Sequence, residues 1–493
     1  MPRKLVLIHG YSDSGQAFFP LRAALASRGV DVTDINICSY VTLNNEITIK
    51  DIAEGLERAF NNHPDLQKTP GFEFDAIVHS TGMLVIRSWL TNNGIGASVN
   101  NRLKRLKHLI GLAPATWGSP QAHKGRTWLG ALIKGDKDFL GPDFLNAGDR
   151  VLEGLELGSS FTWDLAHLDL LGKEPFYDRG TDTPFVSVFI GNEPYSGLEK
   201  VANDPGTDGT VRWAGCGLNT RKIRIDLTQT PIDLNGNPVP LANGIATQRA
   251  WITDFALTRL DIPMIAVDGR NHGTILSDPE PEMVGLVADF LKVGEPEQEA
   301  YDHWLARAKE YGSRGLPKML EAPDPSFFGR IFGRTDEMEG WQQFVVHARD
   351  ERGDPITDYM IEVVEGEKVF EPMSTDVHAY GPDSSYRCFH IHLPKGVSDP
   401  ALKLRARIHA STGTELMAYQ GYNETKQDLT ADSKPIELDL NLGEHGSLFF
   451  PFTTTLIEIV LNREPRPFKG IARILTWNDL PKKTADSSDG ISA

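Results

Sequence analysis

Cysteine is scarce in this chain of 493 residues, which holds only Cys38, Cys216 and Cys388. The three are widely spaced, odd in number and without a C-x-x-C pair, so the sequence predicts buried or free thiols rather than a disulfide framework. Long hydrophobic runs are missing as well. No apolar stretch approaches the ~18–20 residues needed to cross a bilayer, and we therefore expect no transmembrane segment.

Positive charge is also in short supply. The 50 Lys and Arg residues face 67 Asp and Glu residues, and the formal net charge is -17. No clustered Lys/Arg face is available for phosphate contacts, so the composition argues against a nucleic acid partner. A lipid substrate is compatible with this composition, because a protein binds a lipid through apolar surface. Neither a P-loop nor a G-x-G-x-x-G motif follows a predicted strand, and we expect no cofactor.

The N-terminus leaves no room for a signal peptide. The first predicted strand, Lys4-Leu5-Val6-Leu7-Ile8, begins almost at the initiator methionine. The expected localisation is therefore the cytoplasm, or export by a route that needs no cleaved signal.

The most informative stretch of the sequence reads as a strand, a tight turn and a helix. Phe74 to Val78 is a short apolar run typical of a buried parallel strand. His79-Ser80-Thr81-Gly82 forms the turn, and residues 83–90 are apolar enough for a packed helix. This is the layout of a nucleophile elbow, which lifts a serine hydroxyl clear of the sheet. The usual motif is G-x-S-x-G, and Val78 at the first glycine position requires small neighbours.

Short apolar runs alternate with segments of helical periodicity through residues 1–295. Such alternation predicts an α/β fold, with a parallel sheet and helices on both faces. Residues 114–180 interrupt it and are rich in Gly, Pro, Trp, Leu and Phe. They suggest a cap inserted over a site, although an ordinary helical insertion is the alternative. We expect the acyl part of a substrate to meet four residues of this segment: Trp117, Trp128, Phe139 and Leu140.

From residue 341 the periodicity changes to two, and short predicted strands are separated by turn residues. This pattern predicts an all-β, antiparallel sandwich domain over residues 341–482. Residues 296–340, charged and broken by Pro and Gly, form the predicted linker and include a helix near residues 297–311. Residues 483–493 are small and polar and are predicted to be disordered.

A serine hydroxyl needs a base to take its proton, and the base works best when an acid fixes its tautomer. Downstream of Ser80, Asp208 follows one predicted strand and His272 follows another, in the chain order Ser, Asp, His. Loops at the carboxyl ends of parallel strands meet at one edge of a sheet. The sequence therefore predicts a catalytic triad, with Asp204 as a weaker competitor for the acid.

An oxyanion requires two preorganised N–H donors. The backbone N–H of Thr81, the residue after the nucleophile, is one candidate. The backbone N–H of Tyr11, which follows His9-Gly10 at the end of the first strand, is the other.

Residues 3–295 resemble an α/β-hydrolase, and within that superfamily the bacterial lipases and esterases. The resemblance rests on five short motifs, which are His9-Gly10-Tyr11, His79-Ser80-Thr81-Gly82, the Ala113–Ser119 run APATWGS, Asp208-Gly209-Thr210-Val211 and Asn271-His272-Gly273. It implies Ser80 as nucleophile, His272 as general base and acid, and Asp208 as its orienting partner. The C-terminal β-domain lies outside the resemblance.

The predicted activity is hydrolysis of carboxylic esters, with an acyl lipid as the expected small-molecule substrate. Peripheral lipid contact through the cap or the β-sandwich would support such an activity. An acyltransferase or a thioesterase would use the same triad. A different alternative is an inactive hydrolase fold that binds a lipid, a glycan or a partner protein.

Two histidines of the β-domain, His390 and His392, alternate along one predicted strand and would form a metal pair if further ligands were near. No Asp or third His follows at a fitting spacing, so we expect surface histidines and no metal site.

Overall fold

The computed structural model describes most of both predicted domains. The described residues are 3–9, 16–37, 46–67, 73–92, 99–122, 149–172, 176–177, 182–196, 203–228, 252–257, 262–294, 298–320, 338–373, 375–399, 401–414, 417–421, 436–440 and 448–465. Several predicted features lie outside them, namely Tyr11, Trp128, Phe139, Leu140 and the tail 483–493.

The first half of the chain is built on a parallel sheet of six described strands. In chain order these are β1 (Lys4–Ile8), β2 (Val32–Ile37), β3 (Phe74–Ser80), β4 (Leu106–Pro114), β5 (Phe185–Gly191) and β8 (Met264–Val267). The spatial order is β2-β1-β3-β4-β5-β8. The central strands β3 and β5 are buried along their whole length, which explains why their sequences are continuous apolar runs instead of alternating ones.

Helices pack on the parallel sheet as the sequence predicts. The described helices are α1 (Phe19–Ser27), α2 (Ile49–Asn62), α3 (Pro64–Gln67), α4 (Gly82–Thr91), α5 (Val99–Arg105), α6 (Asp149–Leu155), α7 (Ser160–Asp169), α8 (Thr274–Ser277), α9 (Pro281–Phe290) and α10 (Gln298–Met319). A capping box formed by Thr48 and Asp51 fixes the start of α2. None of the described helices is both long and apolar enough to cross a membrane.

The described part of the predicted cap, α6 and α7, is tied to the helix that follows the elbow. Arg87 of α4 and Asp169 of α7 form a fully buried ion pair, with Nε to Oδ2 at 2.7 Å and Nη2 to Oδ1 at 2.9 Å. The same guanidinium donates to the Thr116 carbonyl, and Tyr177 donates to Asp169. A bidentate, fully hydrogen-bonded pair of this kind fixes the orientation of α7 on α4.

The second half of the chain forms two β-sheets packed face to face, so the predicted order of an α/β part followed by a β-sandwich is confirmed. The strands after α10 are β9 (Met338–Asp350), β10 (Tyr359–Glu365), β11 (Lys368–Val369), β12 (Thr375–Ala379), β13 (Tyr386–Pro394), β14 (Leu404–Ala410), β15 (Met417–Gln420), β16 (Ile436–Asp439) and β17 (Thr454–Pro465), and they are joined by the earlier strands β6 (Thr220–Asp226) and β7 (Ile252–Leu257). One sheet has the order β11-β10-β14-β16, and the other β12-β13-β9-β17-β6-β7 with β15 on β17.

The larger sheet includes two strands from the α/β part of the sequence. These are β6 (Thr220–Asp226) and β7 (Ile252–Leu257), which lie between β5 and β8 in the chain. The prediction of a purely antiparallel sandwich is wrong for this sheet, because β17 pairs in parallel with both β9 and β6. Parallel pairing needs a long connection, and here each partner of β17 is far away in sequence.

Strand β9 is buried on both faces and joins two hydrophobic cores. Trp341 and Val345 belong to the core of the α/β part, whereas Phe344 and Val346 belong to the core between the two β-sheets. Because side chains alternate along a strand, one face of the larger sheet covers the α/β part and the other covers the smaller sheet. The β-domain is therefore packed directly against the α/β part.

Candidate active site

The serine turn after β3 has the strained backbone of a nucleophile elbow. Ser80 has a φ of 52°, in the left-handed region that non-glycine residues seldom adopt. Thr81 then has helical angles as the N-cap of α4. Such a turn keeps Ser80 at the end of the central strand β3, where its side chain projects from the sheet edge.

Small residues around the elbow accommodate its tight turn. Gly111 of β4 is the register partner of Val78, so the branched side chain at the usual glycine position is opposed by a residue without one. At Gly82 a Cβ atom would lie 2.6 Å from the Ile8 carbonyl oxygen. The start of α4 therefore approaches the end of β1 as closely as only glycine permits.

Asp208 and His272 meet at the same edge of the sheet. Nδ1 of His272 lies 3.0 Å from Oδ2 of Asp208, and the His272 backbone N–H donates to the Asp208 carbonyl at 3.0 Å. Oδ1 of Asp208 accepts the backbone N–H groups of Thr210 and Val211. An ionised carboxylate only accepts, so Nδ1 of His272 carries the proton and Nε2 is left with a free lone pair.

His79, the residue before the serine, holds the histidine loop in place. Its Nε2 donates to the His272 carbonyl at 2.9 Å, and the two imidazole centroids are 4.6 Å apart. Burial, followed by the neighbouring His272 and His9, holds the pKa of His79 well below its ordinary value. His79 is therefore a neutral imidazole that links the elbow directly to the loop bearing His272.

The APATWGS run supports the loop that carries Asp208. Ser119 Oγ donates to the Thr210 carbonyl at 2.6 Å, and Thr116 Oγ1 donates to the Cys216 carbonyl at 2.6 Å. Trp117 is fully buried and donates from its indole to the Gly217 carbonyl at 3.1 Å. These contacts fix two loops together, whereas the expectation that Trp117 lines an acyl site stays a prediction.

The β-domain supports the same loop from the other side. Gly206 has a φ of +73°, and a Cβ atom there would lie 2.6 Å from His390 Cε1 and 2.7 Å from Trp341 Cδ2. Arg212, only 1% exposed, pairs with Asp376 and donates to Cys388 Sγ at 3.3 Å. Asp208, the predicted acid, therefore lies on a loop held between the α/β part and the β-domain.

The structure describes only one of the remaining predicted site residues. Thr81 is buried at the start of α4, next to Ser80, as an oxyanion donor must be. Tyr11, Trp128, Phe139 and Leu140 lie outside the described residues, and their proposed roles stay predictions.

Asp208 makes two hydrogen bonds with His272, one through its carboxylate and one through its backbone carbonyl, and the weaker candidacy of Asp204 stays a prediction.

The expectation that His390 and His392 lie on the surface was wrong. They are 1% and 5% exposed, because Trp341 of the neighbouring strand stacks on His390 at 4.4 Å between ring centroids. No group of three or more His, Cys, Asp or Glu residues suited to a metal ion occurs in the described part of the chain. Cys216 and Cys388 are buried free thiols, as predicted, and Cys38 lies outside the described residues.

Sequence reasoning missed several residues that position the site. His79 stands inside the recognised motif, and its place beside Ser80 was a usable signal. Arg212 and its partner Asp376 carry no local signal, because 164 residues separate them. Asn271, whose Oδ1 accepts the backbone N–H groups of Gly273 and Thr274, caps the turn that presents His272.

Comparison with known proteins found solved structures that share this architecture. No family model matches the sequence, and no curated protein matches it. Among solved structures, phospholipase PlaB from Legionella pneumophila superposes with a TM-score of 0.69 at 19% identity, covering 96% of this chain and 97% of PlaB. PlaB in complex with thio-NAD superposes with a TM-score of 0.70 at 19% identity, covering 97% of each chain. At this identity the likeness shows a shared fold, and it includes the β-domain that the sequence left unassigned.

Proposed function

We propose that this chain, an α/β-hydrolase by fold, cleaves carboxylic esters of acyl lipids through a Ser80–His272–Asp208 triad. The observation that carries the proposal is the Asp208–His272 pair, oriented by two hydrogen bonds and linked through His79 to the strained elbow of Ser80. A base with a fixed tautomer beside a serine on such a turn suits nucleophilic catalysis.

In the proposed reaction, Ser80 Oγ attacks the ester carbonyl while His272 Nε2 takes its proton. The imidazolium is stabilised by Asp208 and returns the proton to the leaving alcohol. The tetrahedral oxyanion accepts N–H bonds from Thr81 and Tyr11. Water, deprotonated by His272, then attacks the acyl-enzyme and releases the acid. The low pKa of His79 keeps a second positive charge away from His272 as that imidazolium forms.

Acyl lipids are the proposed substrate class for two reasons. Two solved structures that share the fold over nearly the whole chain are those of a phospholipase. The net charge of -17 disfavours polyanionic substrates such as nucleic acids, while leaving apolar ones open. The cytoplasmic location and domain boundaries at residues 295, 340 and 482 stay proposals alongside this one.

The test is hydrolysis of p-nitrophenyl esters with acyl chains from short to long, with wild type compared with Ser80→Ala. We expect the variant to lose about 10⁶ in kcat, because a triad without its nucleophile retains only binding and oxyanion stabilisation. Ser88→Ala is the matched control, since Ser88 is a buried serine of the adjoining helix whose hydroxyl has no hydrogen-bond partner among the residues that the structure describes.

Preference for long acyl chains, with activity abolished only in Ser80→Ala, supports a lipid hydrolase. Preference for short chains would keep the triad and remove the lipid argument. Equal turnover by wild type and Ser80→Ala would refute the proposed mechanism.

A further inference from the structure

The two sheets of the β-domain enclose a cavity of about 400 Å³. Protein interiors normally leave few voids larger than a water molecule. The volume falls within the range of about 300–1,000 Å³ that is typical of small-molecule pockets. It lies in the β-domain, between strands that do not contribute to the parallel sheet, and it is therefore separate from Ser80.

The cavity walls are almost wholly hydrocarbon. Phe344 and Phe389 of the larger sheet face Ile361, Ile408 and Leu438 of the smaller one, and other lining residues extend this surface. Only two lining residues, Glu362 and Thr375, carry polar side chains. A polar ligand or a peptide would leave buried hydrogen-bonding groups without partners in such a site. A hydrocarbon chain has no hydrogen-bonding groups and therefore fits such a site without this penalty.

The opening of the cavity carries exposed apolar side chains. Met360, Val369 and Val377 are 49%, 54% and 47% exposed, and all three line the cavity. They belong to β10, β11 and β12, which border the open edges of the two sheets. These three are half of the large apolar side chains that are strongly exposed in the described part of the chain. An apolar surface that leads from solvent into an apolar cavity is the arrangement that admits an acyl chain.

Glu362 is the ionisable residue that lines the cavity. It alternates along β10 with the inward-facing Ile361 and Val363, so its carboxylate lies on the outer face of the smaller sheet, with Oε2 3.4 Å from Nε2 of the half-exposed His409.

The rim of the opening is acidic. Residues 359–377 include five acidic residues and one lysine. Glu367 and Asp376 pair with arginines, whereas Glu365 and Glu371 are exposed and leave the rim negative. A free fatty acid would place its carboxylate next to this negative charge, whereas a cationic head group would be attracted by it.

We propose that the β-domain binds one single-chain lipid, with its acyl chain between the two sheets and a cationic outer head group, such as choline, at the acidic rim of the opening. This binding site goes beyond the proposed esterase activity and does not depend on Ser80. It gives the β-domain a lipid-binding role in place of a purely structural one.

The test is calorimetric titration of the full-length protein with hexadecylphosphocholine, a choline lipid that has no ester bond to hydrolyse, kept at monomeric concentrations. We expect saturable binding of one molecule per chain, and affinity at least tenfold weaker for palmitate. Ala406→Phe, which fills the cavity from β14, is expected to weaken binding at least tenfold. Ala379→Phe is the matched control, because Ala379 is exposed on β12 and does not line the cavity.

Val369→Ser and Val377→Ser provide a second pair of variants if Ala406→Phe does not fold, because both positions are exposed and tolerate polar residues. Both should bind the choline lipid less tightly at an unchanged melting temperature. Undiminished binding by all cavity variants would overturn the proposal, as would palmitate binding as tightly as the choline lipid. A chain that dimerises through this edge and binds no lipid would overturn it too. Failure of the proposed function, seen as equal ester hydrolysis by wild type and Ser80→Ala, leaves all these binding outcomes unaffected.

Discussion

The hydrogen bond between Asp208 and His272 is the central contact of the proposed triad. Because the carboxylate also accepts two backbone N–H groups, it is held in one orientation toward the imidazole. The neighbouring His79 is fixed in turn through the His272 carbonyl. Asp208, His79 and His272 each have a different proposed role, and substitution of one residue at a time tests each role separately.

Replacing Asp208 with Asn should lower kcat by about 10⁴, because the amide stabilises the wrong tautomer of His272 without disturbing its position. The measurement is kcat for the best p-nitrophenyl ester, with circular dichroism to verify folding. Asp204→Asn is the control, and less than a threefold change is expected there. A larger loss in Asp204→Asn than in Asp208→Asn would transfer the acid role to Asp204.

Gly82→Ala should destabilise the protein and lower its activity, because the added Cβ would come 2.6 Å from the Ile8 carbonyl oxygen. Relieving this clash requires the elbow to move away from β1. We expect a loss of about 1–3 kcal/mol in the free energy of unfolding, as for other overpacked sites. Gly294→Ala is the matched control, since a Cβ there meets nothing within 4 Å. Equal stability of the two variants would show that the elbow accommodates a Cβ atom at residue 82 without strain.

Among the elements, the loop between β5 and β6 is packed against other parts of the molecule on two sides. It carries Asp208, and it is held by the Ala113–Ser119 run on one side and by β9, β12 and β13 on the other. Its geometry therefore depends on a domain that contributes no residue to the proposed chemistry.

Arg212→Met should lower kcat about tenfold with little change in KM, because the loop loses its attachment to Asp376 and Cys388 while the substrate site is untouched. Arg212→Lys should recover part of kcat, since a charge is restored without the planar guanidinium. The control is Arg352→Met, an exposed arginine of the β-domain far from this loop in the sheet. A change confined to melting temperature, with kcat preserved, would assign Arg212 to stability alone.

Elements with a strong local pattern could be predicted from the sequence, and elements defined by distant partners could not. The buried runs of β3 and β5 were recognised because both faces of those strands are apolar. Strand β6 was missed although Ile223 and Ile225 alternate with charged residues, because its partner β17 lies more than 200 residues away. The apolar run at residues 448–452 forms no strand, because Pro451 lacks an N–H and Phe452, in the turn that follows, has a φ of 57°.

The site was predictable to the extent that catalysis fixes residue types and chain order. Ser80, Asp208 and His272 follow strands that converge on one edge of the sheet, and that convergence is a property of any parallel sheet. The clamp around Arg212 and the burial of His390 depend instead on how two domains pack. Nothing in the local sequence specifies such packing.

At the scale of the whole molecule, buried neutral histidines should make the fold sensitive to acid. Burial holds the pKa values of His79 and His390 well below the ordinary value of 6.5. Below pH 6.5 the unfolded chain takes up protons that the folded chain does not. Stability is therefore complete above about pH 6.5 and is lost as pH falls toward the depressed folded values, by about 1.4 kcal/mol per pH unit for each histidine.

His390→Leu removes one of these groups and should make the free energy of unfolding fall less steeply between pH 6.5 and 5.5, by about 1 kcal/mol over that unit. Urea unfolding at a series of pH values measures the slope. His303→Gln, an exposed position of α10, should leave it unchanged. A wild-type slope in His390→Leu would mean that His390 is protonated in the folded protein.

The placement of β6 between β17 and β7 also has a consequence for the order in which the protein is made. The ribosome releases every residue of the α/β part before β17, yet β6 lacks one of its two neighbours until residues 454–465 emerge. At about 5–20 residues per second, the delay between His272 and β17 is on the order of ten seconds. Throughout that interval the nascent chain carries Ser80, Asp208 and His272 while β6 still lacks its neighbour β17. A ribosome that stops short of residue 454 would therefore release a chain with all three residues of the proposed triad but without the strand that completes the support of the Asp208 loop.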